Sequence, residues 1–310
     1  MLQSRRLLFK WRFMIEIDIL SGFLGAGKTT LANILLKHYL AQNKRAVYIV
    51  NEFGQTSLDA ELIRGEGFQA LPLPGGCICC TLKGELTLAL KEIIHTFNPD
   101  NIVFETSGIF VFNQFEDILK DDFLSGCCHI RRTVVVVDSV NYRKAGLVAG
   151  SFIENQIKNA SVIVLSKLER FQGEAAEIVC DLKNASPNAV IIARPWNEQG
   201  FLDSMLLAEG QGLGCSFGHG HVHMDALTLP MEKDYSRDEY DRFIRSIVSE
   251  EYGGILRVKG FIRIEGQAFL LNIAMQDVVL KKAPACAEAR MTFIGEHLNR
   301  NLLERLIKPL

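Results

Sequence analysis

Eight residues constrain this chain more than any others: Gly22-Phe23-Leu24-Gly25-Ala26-Gly27-Lys28-Thr29. They satisfy G-x-x-x-x-G-K-[ST], and they lie between the strand-like Ile15–Leu20 and the helical run Thr29–Ala41. A strand that turns through glycines into a helix aims backbone N–H groups and the positive helix end at one point. That is a cradle for the phosphates of a nucleotide. Lys28 is placed to neutralise β- and γ-phosphate charge and the Thr29 hydroxyl to ligate Mg²⁺. Gly22, Gly25, Ala26, Gly27 and Thr30 complete the candidate loop. A chance glycine turn is the competing reading, and the strand–loop–helix setting weighs against it.

Further along, Ala46–Val50, Ile102–Glu105, Thr133–Asp138, Ser161–Ser166 and Ala189–Ala193 read as short buried strands. Helical spacing over Glu85–Thr96 and Gly173–Leu182 lies among them. Apolar strands alternating with helices predict an α/β fold, a doubly wound and mostly parallel sheet covered on both faces. This P-loop domain is expected over residues 14–200. Residues 201–223, rich in glycine and histidine toward their end, read as a linker. Beyond them come a strand near Ala226–Pro230 and an amphipathic helix over Arg237–Ser249. Strands over Ile255–Ile264, Ala268–Ile273 and Arg290–Ile294 and a last helix near Leu298–Ile307 follow. Strand following strand predicts a smaller C-terminal α+β domain over 224–310.

The phosphate loop needs a carboxylate at a neighbouring strand end, to hold the metal's water shell or orient attacking water. Glu105, ahead of Thr106-Ser107-Gly108, fits best; Gly108 allows close approach to a γ-phosphate. Asp138 also ends a strand, and one of the two is expected to be structural. Asn51–Asp59 follows the second strand, where a γ-phosphate and Mg²⁺ can order a switch segment. Glu52 and Asp59 are its candidate metal ligands, with loop solvation and helix capping as the alternative. Ser166-Lys167-Leu168-Glu169 follows a strand in the place of an N-K-x-D base-reading motif. Its carboxylate can accept from guanine N1 and N2 while the lysine stem lies along the base. Ser and Glu replace Asn and Asp, so guanine is favoured and ATP stays open, and a plain polar loop is the alternative.

Eight cysteines in 310 residues are too few for a disulfide scaffold. Cys77, Cys79 and Cys80 cluster after the turn Pro72–Gly76. Three thiols within four residues suit a soft divalent ion, zinc first, with cobalt, iron or nickel compatible. Redox-active thiols and core cysteines are the competing readings. His219, His221 and His223, near Cys215, offer a loose auxiliary set, and Cys127-Cys128-His129 is a second group for which burial is the simpler reading.

Charge excludes some functions. Lys and Arg number 34 against 36 Asp and Glu, a formal net charge of −2, which leaves no basic excess for nucleic acid. With 48% hydrophobic and 23% charged residues the composition is globular. No apolar run approaches the ~20 residues of a membrane span. Residues 1–13 carry Arg5, Arg6, Lys10 and Arg12 and no acid, but Leu7–Phe9 is too short for a signal core. They read as a disordered extension or an early start, and the cytoplasm is the expected location.

Taken together, GFLGAGKTT at 22–30, NEFGQTSLD at 51–59, GGCICC at 75–80 and ETSG at 105–108 resemble the CobW-like metallochaperone GTPases. Gly254–Arg263 and Thr292–Gly295 are similar to that family's C-terminal domain. The resemblance implies GTP hydrolysis coupled to binding a transition metal and delivering it to a client metalloprotein. It also implies that Cys77, Cys79 and Cys80 are the C-x-C-C ligands, and that two copies can pair. Gln55 stands where the family frequently has Glu. A nucleotide-dependent metal or thiol sensor that delivers nothing is the alternative function.

Overall fold

Valine and isoleucine dominate most strands of the first sheet, and β-branched residues favour a pleated, buried surface. In the computed structural model these are β1 (Ile15–Ser21), β2 (Ala46–Asn51), β3 (Gln69–Leu73), β4 (Asn101–Glu105), β5 (Cys128–Asp138), β6 (Val162–Ser166) and β7 (Val190–Ile192). They form one sheet in the order β3-β2-β4-β1-β5-β6-β7, every pairing parallel. The structure describes residues 14–51, 68–73, 82–107, 113–208, 225–247, 250–274, 277–283 and 289–307.

Helices cover both faces, because successive side chains of a buried strand point to opposite sides and both sides are apolar. Ile15, Ile17 and Ile19 of β1 share one core with Ile163 and Leu165 of β6. Against it pack α2 (Leu82–Phe97), α3 (Asn113–Leu119), α4 (Asp122–Ser125), α5 (Tyr142–Lys158) and α6 (Ala175–Ala185). On the other face Leu20, Val134, Val136, Val162 and Val164 meet Leu31, Leu35 and Leu36 of α1 (Lys28–Ala41).

The stretch expected to be linker from residue 201 instead begins with a helix, α7 (Phe201–Leu207). Phe201 and Met205 are buried in that second core, so apolar burial keeps these residues on the sheet. Arg132 ties the helix down, donating from Nη1 to the Met205 carbonyl at 2.8 Å. This arginine and Arg131 surround the fully buried Asp18 of β1, with Arg132 Nε at 3.0 Å and Arg131 Nη2 at 2.9 Å. The Tyr39 hydroxyl also bonds Asp18; burial, and then the Asp18 charge, push its phenol far up, so it stays protonated. A carboxylate can sit in this core because arginines pair it.

The C-terminal part is a separate, mainly antiparallel sheet. Its strands are β8 (Asp225–Pro230), β9 (Asp234–Tyr235), β10 (Gly254–Ile264), β11 (Gln267–Ala274), β12 (Asp277–Lys282) and β13 (Arg290–Glu296). The order is β12-β11-β10-β13-β8, with the two-residue β9 added in parallel to β10. Two helices, α8 (Arg237–Ile247) and α9 (Arg300–Ile307), lay Tyr240, Phe243, Ile247, Leu303 and Ile307 into its core. A reciprocal cap starts α8. The Ser236 hydroxyl accepts from the Glu239 N–H at 3.3 Å, and the Glu239 carboxylate accepts from the Ser236 N–H at 2.8 Å.

The two sheets touch where β1 ends. Phe23 and Leu24 of the phosphate loop share a small buried cluster with Ala145, Ala149 and Phe152 of α5 and with Leu256 and Ile294 of the second sheet. Among the described residues no helix is long and apolar enough to cross a membrane.

Candidate functional site

β1, β2 and β4 end together. Glu105, the last residue of β4, is in register with Leu20 of β1 and Val50 of β2. The chain leaves β1 at Ser21 and enters α1 at Lys28, so Gly22–Gly27 caps this end of the sheet. Gly27 adopts a left-handed conformation, φ 105°, immediately before the helix, a geometry that suits glycine. The helix has no acidic residue in its first turn and no side chain capping Gly27, which leaves its positive end to an anion.

Lys28 is buried, and its ammonium folds back over the loop, donating to the Gly22 carbonyl at 2.9 Å and the Phe23 carbonyl at 3.3 Å. A buried ammonium needs such acceptors, and here they hold it among the backbone groups that would surround a phosphate. Thr29 is half-buried and donates through Oγ1 to Glu105 Oε1 at 3.1 Å. Thr30 is exposed. A hydroxyl and a buried carboxylate in contact beside the loop form a hard oxygen donor pair of the kind that Mg²⁺ prefers.

Tyr48 was not legible as a functional residue. It is a fully buried residue of β2, and its hydroxyl donates to the other Glu105 oxygen, Oε2, at 2.6 Å. The tyrosine therefore fixes the carboxylate's plane and leaves Oε1 to Thr29. Tyr48→Phe should lower nucleotide turnover about three- to tenfold and stability by about 1–2 kcal/mol, since a charge-assisted hydrogen bond is lost. Steady-state rates and thermal melts check this; an unchanged rate would mean that Tyr48 only fills the core.

Asp138, the other candidate carboxylate, is fully engaged in structure. Its Oδ1 accepts from the Val140 and Asn141 N–H groups at 3.0 and 3.3 Å, and its Oδ2 from Asn141 Nδ2 at 2.9 Å. Lys167 Nζ reaches the same Oδ2 at 2.7 Å.

The segment from Ser166 to Glu169, the candidate base reader, is knitted to the phosphate loop. Ser166 Oγ donates to the Ala26 carbonyl at 2.7 Å, with the Val137 carbonyl 3.3 Å away. Ser thus holds the loop through its hydroxyl from the place where the motif has Asn. Lys167 has a left-handed backbone, φ 59°, which turns the chain into the short 3₁₀ helix Leu168–Arg170 with Glu169 exposed. The lysine was expected to lie along a base; its ammonium is clamped between Asp138 and Asp277, the latter at 3.0 Å. Trp196, from the loop after β7, completes the seam. Its Nε1 donates to the Leu165 carbonyl at 2.9 Å, and its ring lies 3.2 Å from where a Cβ on Gly27 would stand.

Several expected site residues lie outside the described residues: Glu52, Asp59, Cys77, Cys79, Cys80, Gly108, Cys215, His219, His221 and His223, along with residues 1–13. Cys127 and Cys128 are buried and His129 is exposed, in keeping with the core reading of that pair. Among the described residues no group of three or more His, Cys, Asp or Glu could hold a metal ion.

Two family models match this chain. Residues 16–193 match the model of the CobW/HypB/UreG nucleotide-binding domain, and residues 224–309 that of the Cobalamin synthesis protein cobW C-terminal domain. The zinc chaperone YeiR of Escherichia coli is 25% identical over 296 residues, 86% of this chain and 90% of its own length. The zinc chaperone YjiA of the same organism is 28% identical over 279 residues, 82% of this chain and 83% of its own. A zinc-regulated GTPase metalloprotein activator 1 of Schizosaccharomyces pombe is 31% identical over 173 residues, covering 53% of this chain and 42% of its own. Among solved structures, Zn(II)-bound YjiA GTPase aligns over 96% of this chain and 99% of its own, with a TM-score of 0.48 and 18% identity. With the first match spanning well over half of the chain, and the second taking up most of the remainder, this protein belongs to the CobW/HypB/UreG family, in the arrangement that carries a CobW C-terminal domain.

Proposed function

We propose that this protein is a GTP-hydrolysing metallochaperone that takes up zinc through Cys77, Cys79 and Cys80 and hands it to a client metalloprotein. The nucleotide half of the reading rests on the phosphate loop, on the Thr29–Glu105 contact and on the loop's tie to Ser166. The metal half rests on the C-x-C-C thiols and on relatives named as zinc chaperones. One observation supports joining the halves. The last residues of β2 and β3, Asn51 and Leu73, are register partners. The segments that follow them, one carrying Glu52 and the other the thiols, leave neighbouring strands from the end of the sheet that bears Glu105.

In this mechanism Gly22–Thr30 wraps the triphosphate and Lys28 offsets β- and γ-phosphate charge. Thr29 and Glu105, with Glu52, are the residues that would hold Mg²⁺, which when bound polarises the phosphoryl oxygens. Tyr48 keeps the Glu105 carboxylate turned toward Thr29, and Glu169 accepts from the guanine edge. Nucleotide binding orders the 51–59 segment and tightens the neighbouring thiol site; hydrolysis relaxes it and frees the ion. Zinc is cargo in this cycle, held by thiolates that stay reduced in a cytoplasmic setting.

Zinc titration against a competing chelator tests the metal half. Cys79→Ala should weaken zinc binding at least about tenfold, because it deletes one of three thiolates from the ligand set. Equal affinities for the variant and the parent chain would remove the C-x-C-C site from the account.

A further inference from the structure

The second sheet reaches the nucleotide site itself. β11 and β12 run antiparallel, and Ala274, the end of β11, is the register partner of Asp277, the start of β12. A Cβ placed on Gly25 of the phosphate loop would lie 2.5 Å from the Ala274 Cβ, so the end of β11 rests directly on the loop. Asp277 then reaches the base-reading segment with both carboxylate oxygens. Lys167 Nζ donates to Oδ2 at 3.0 Å and Arg170 Nη2 to Oδ1 at 3.1 Å. These two cations bracket Glu169 in sequence and span the whole 3₁₀ turn. Burial works to raise the Asp277 carboxyl, but the hydrogen bonds and charge of Lys167 and then Arg170 outweigh it and hold it below the usual carboxylate range.

We infer that Asp277 is a specificity-determining positioning residue: the C-terminal domain, through this one carboxylate, holds the turn that presents Glu169 to the base. Asp277 bonds Lys167 and Arg170 at the two ends of the turn, so its effect falls on the part of nucleotide affinity that depends on the base. A turn tied at both ends presents the Glu169 carboxylate in one place, and preorganisation of this kind is where binding selectivity comes from. The tie also works in reverse. Because coupling free energies are reciprocal, a bound guanine base firms the contact between the two domains.

The inference rests on the reading of Ser166–Glu169 as a guanine reader, and the test separates the two. Affinities of the full-length chain for GDP and ADP are measured by calorimetry for the parent, Asp277→Asn, Glu169→Ala and the double variant. Asp277→Asn should lower the preference for GDP over ADP about fivefold or more, at the low end of coupling between sites. Its ADP affinity should change less than about twofold, and it should have no further effect once Glu169 is alanine. Arg170→Gln, at an exposed position, should shift the preference in the same direction by less, and it serves if Asp277→Asn folds poorly. A preference lost in Glu169→Ala but intact in Asp277→Asn and Arg170→Gln overturns the inference alone. So does an equal loss of GDP and ADP affinity in Asp277→Asn. A parent chain without a GDP preference, or one whose preference survives Glu169→Ala, overturns the guanine reading and this inference with it.

Discussion

Lys28→Ala should abolish useful turnover, lowering kcat for GTP about 100-fold or more. The loss of one preorganised charge aimed at the transferring phosphoryl group costs on that scale. The physical reason lies in where the ammonium sits. Lys28 is buried and already oriented by the Gly22 and Phe23 carbonyls, so little reorganisation is needed when a triphosphate arrives. Removing it leaves carbonyl oxygens facing the phosphates without a counter-charge. Nucleotide affinity should fall with kcat, because the same charge serves the ground state. A kcat within about threefold of the parent, measured by phosphate release in excess Mg²⁺, would show that the loop is not the catalytic cradle.

Among the described glycines of the nucleotide domain, Gly22→Ala should be the most damaging added methyl group. Gly22 has φ +139°, and a Cβ built there would stand 2.3 Å from the Val136 carbonyl oxygen of β5. That oxygen belongs to a central strand of the sheet, so it cannot swing aside as a side-chain tip could. Backbone strain and overpacking each cost about 1–3 kcal/mol, so together they should destabilise by about 2–6 kcal/mol. For a domain of this size the melting temperature should drop roughly 5–25 °C. Thermal unfolding without nucleotide measures it. A variant melting within about 2 °C of the parent would mean that the loop adjusts freely and is not clamped against β5.

These residues show what a reader of the sequence alone could and could not see. The phosphate loop was legible because its spacing encodes backbone geometry, and a strand before it with a helix after it leaves one way to arrange the glycines. The buried strands of the first sheet were legible for a related reason. Runs such as Val134–Val137 and Val162–Leu165 have no polar face, which only a sheet covered on both sides accommodates. Glu105 could be preferred over Asp138 from position, and the contact with Thr29 on one side and the turn-capping bonds of Asp138 on the other give the two carboxylates different settings.

Long-range partners were not legible. Tyr48 reads as one more core aromatic, since nothing local announces that its hydroxyl meets a carboxylate 57 positions away. Asp277 opens an edge strand with exposed Val278 and Val279, and its meaning depends on Lys167, 110 residues earlier. Asp18 lies in an apolar strand, and its partners Arg131 and Arg132 come from the neighbouring strand more than 100 residues later. The helices α5 and α7 escaped notice because their apolar stripes are interrupted, α5 by Gly146 and Gly150 and α7 by its brevity. Periodicity is a local signal; these features are set by tertiary packing.

The central claim is that the triphosphate and the zinc ion act on one another through the segments leaving β2 and β3. The direct measurement is the zinc affinity of the full-length chain with a non-hydrolysable GTP analogue bound, compared with GDP bound, at the same Mg²⁺ and salt. The analogue form should bind zinc at least about fivefold more tightly, the lower edge of typical coupling between sites, and zinc should tighten analogue binding by the same factor. Zinc affinities that coincide in the two nucleotide states would contradict the account.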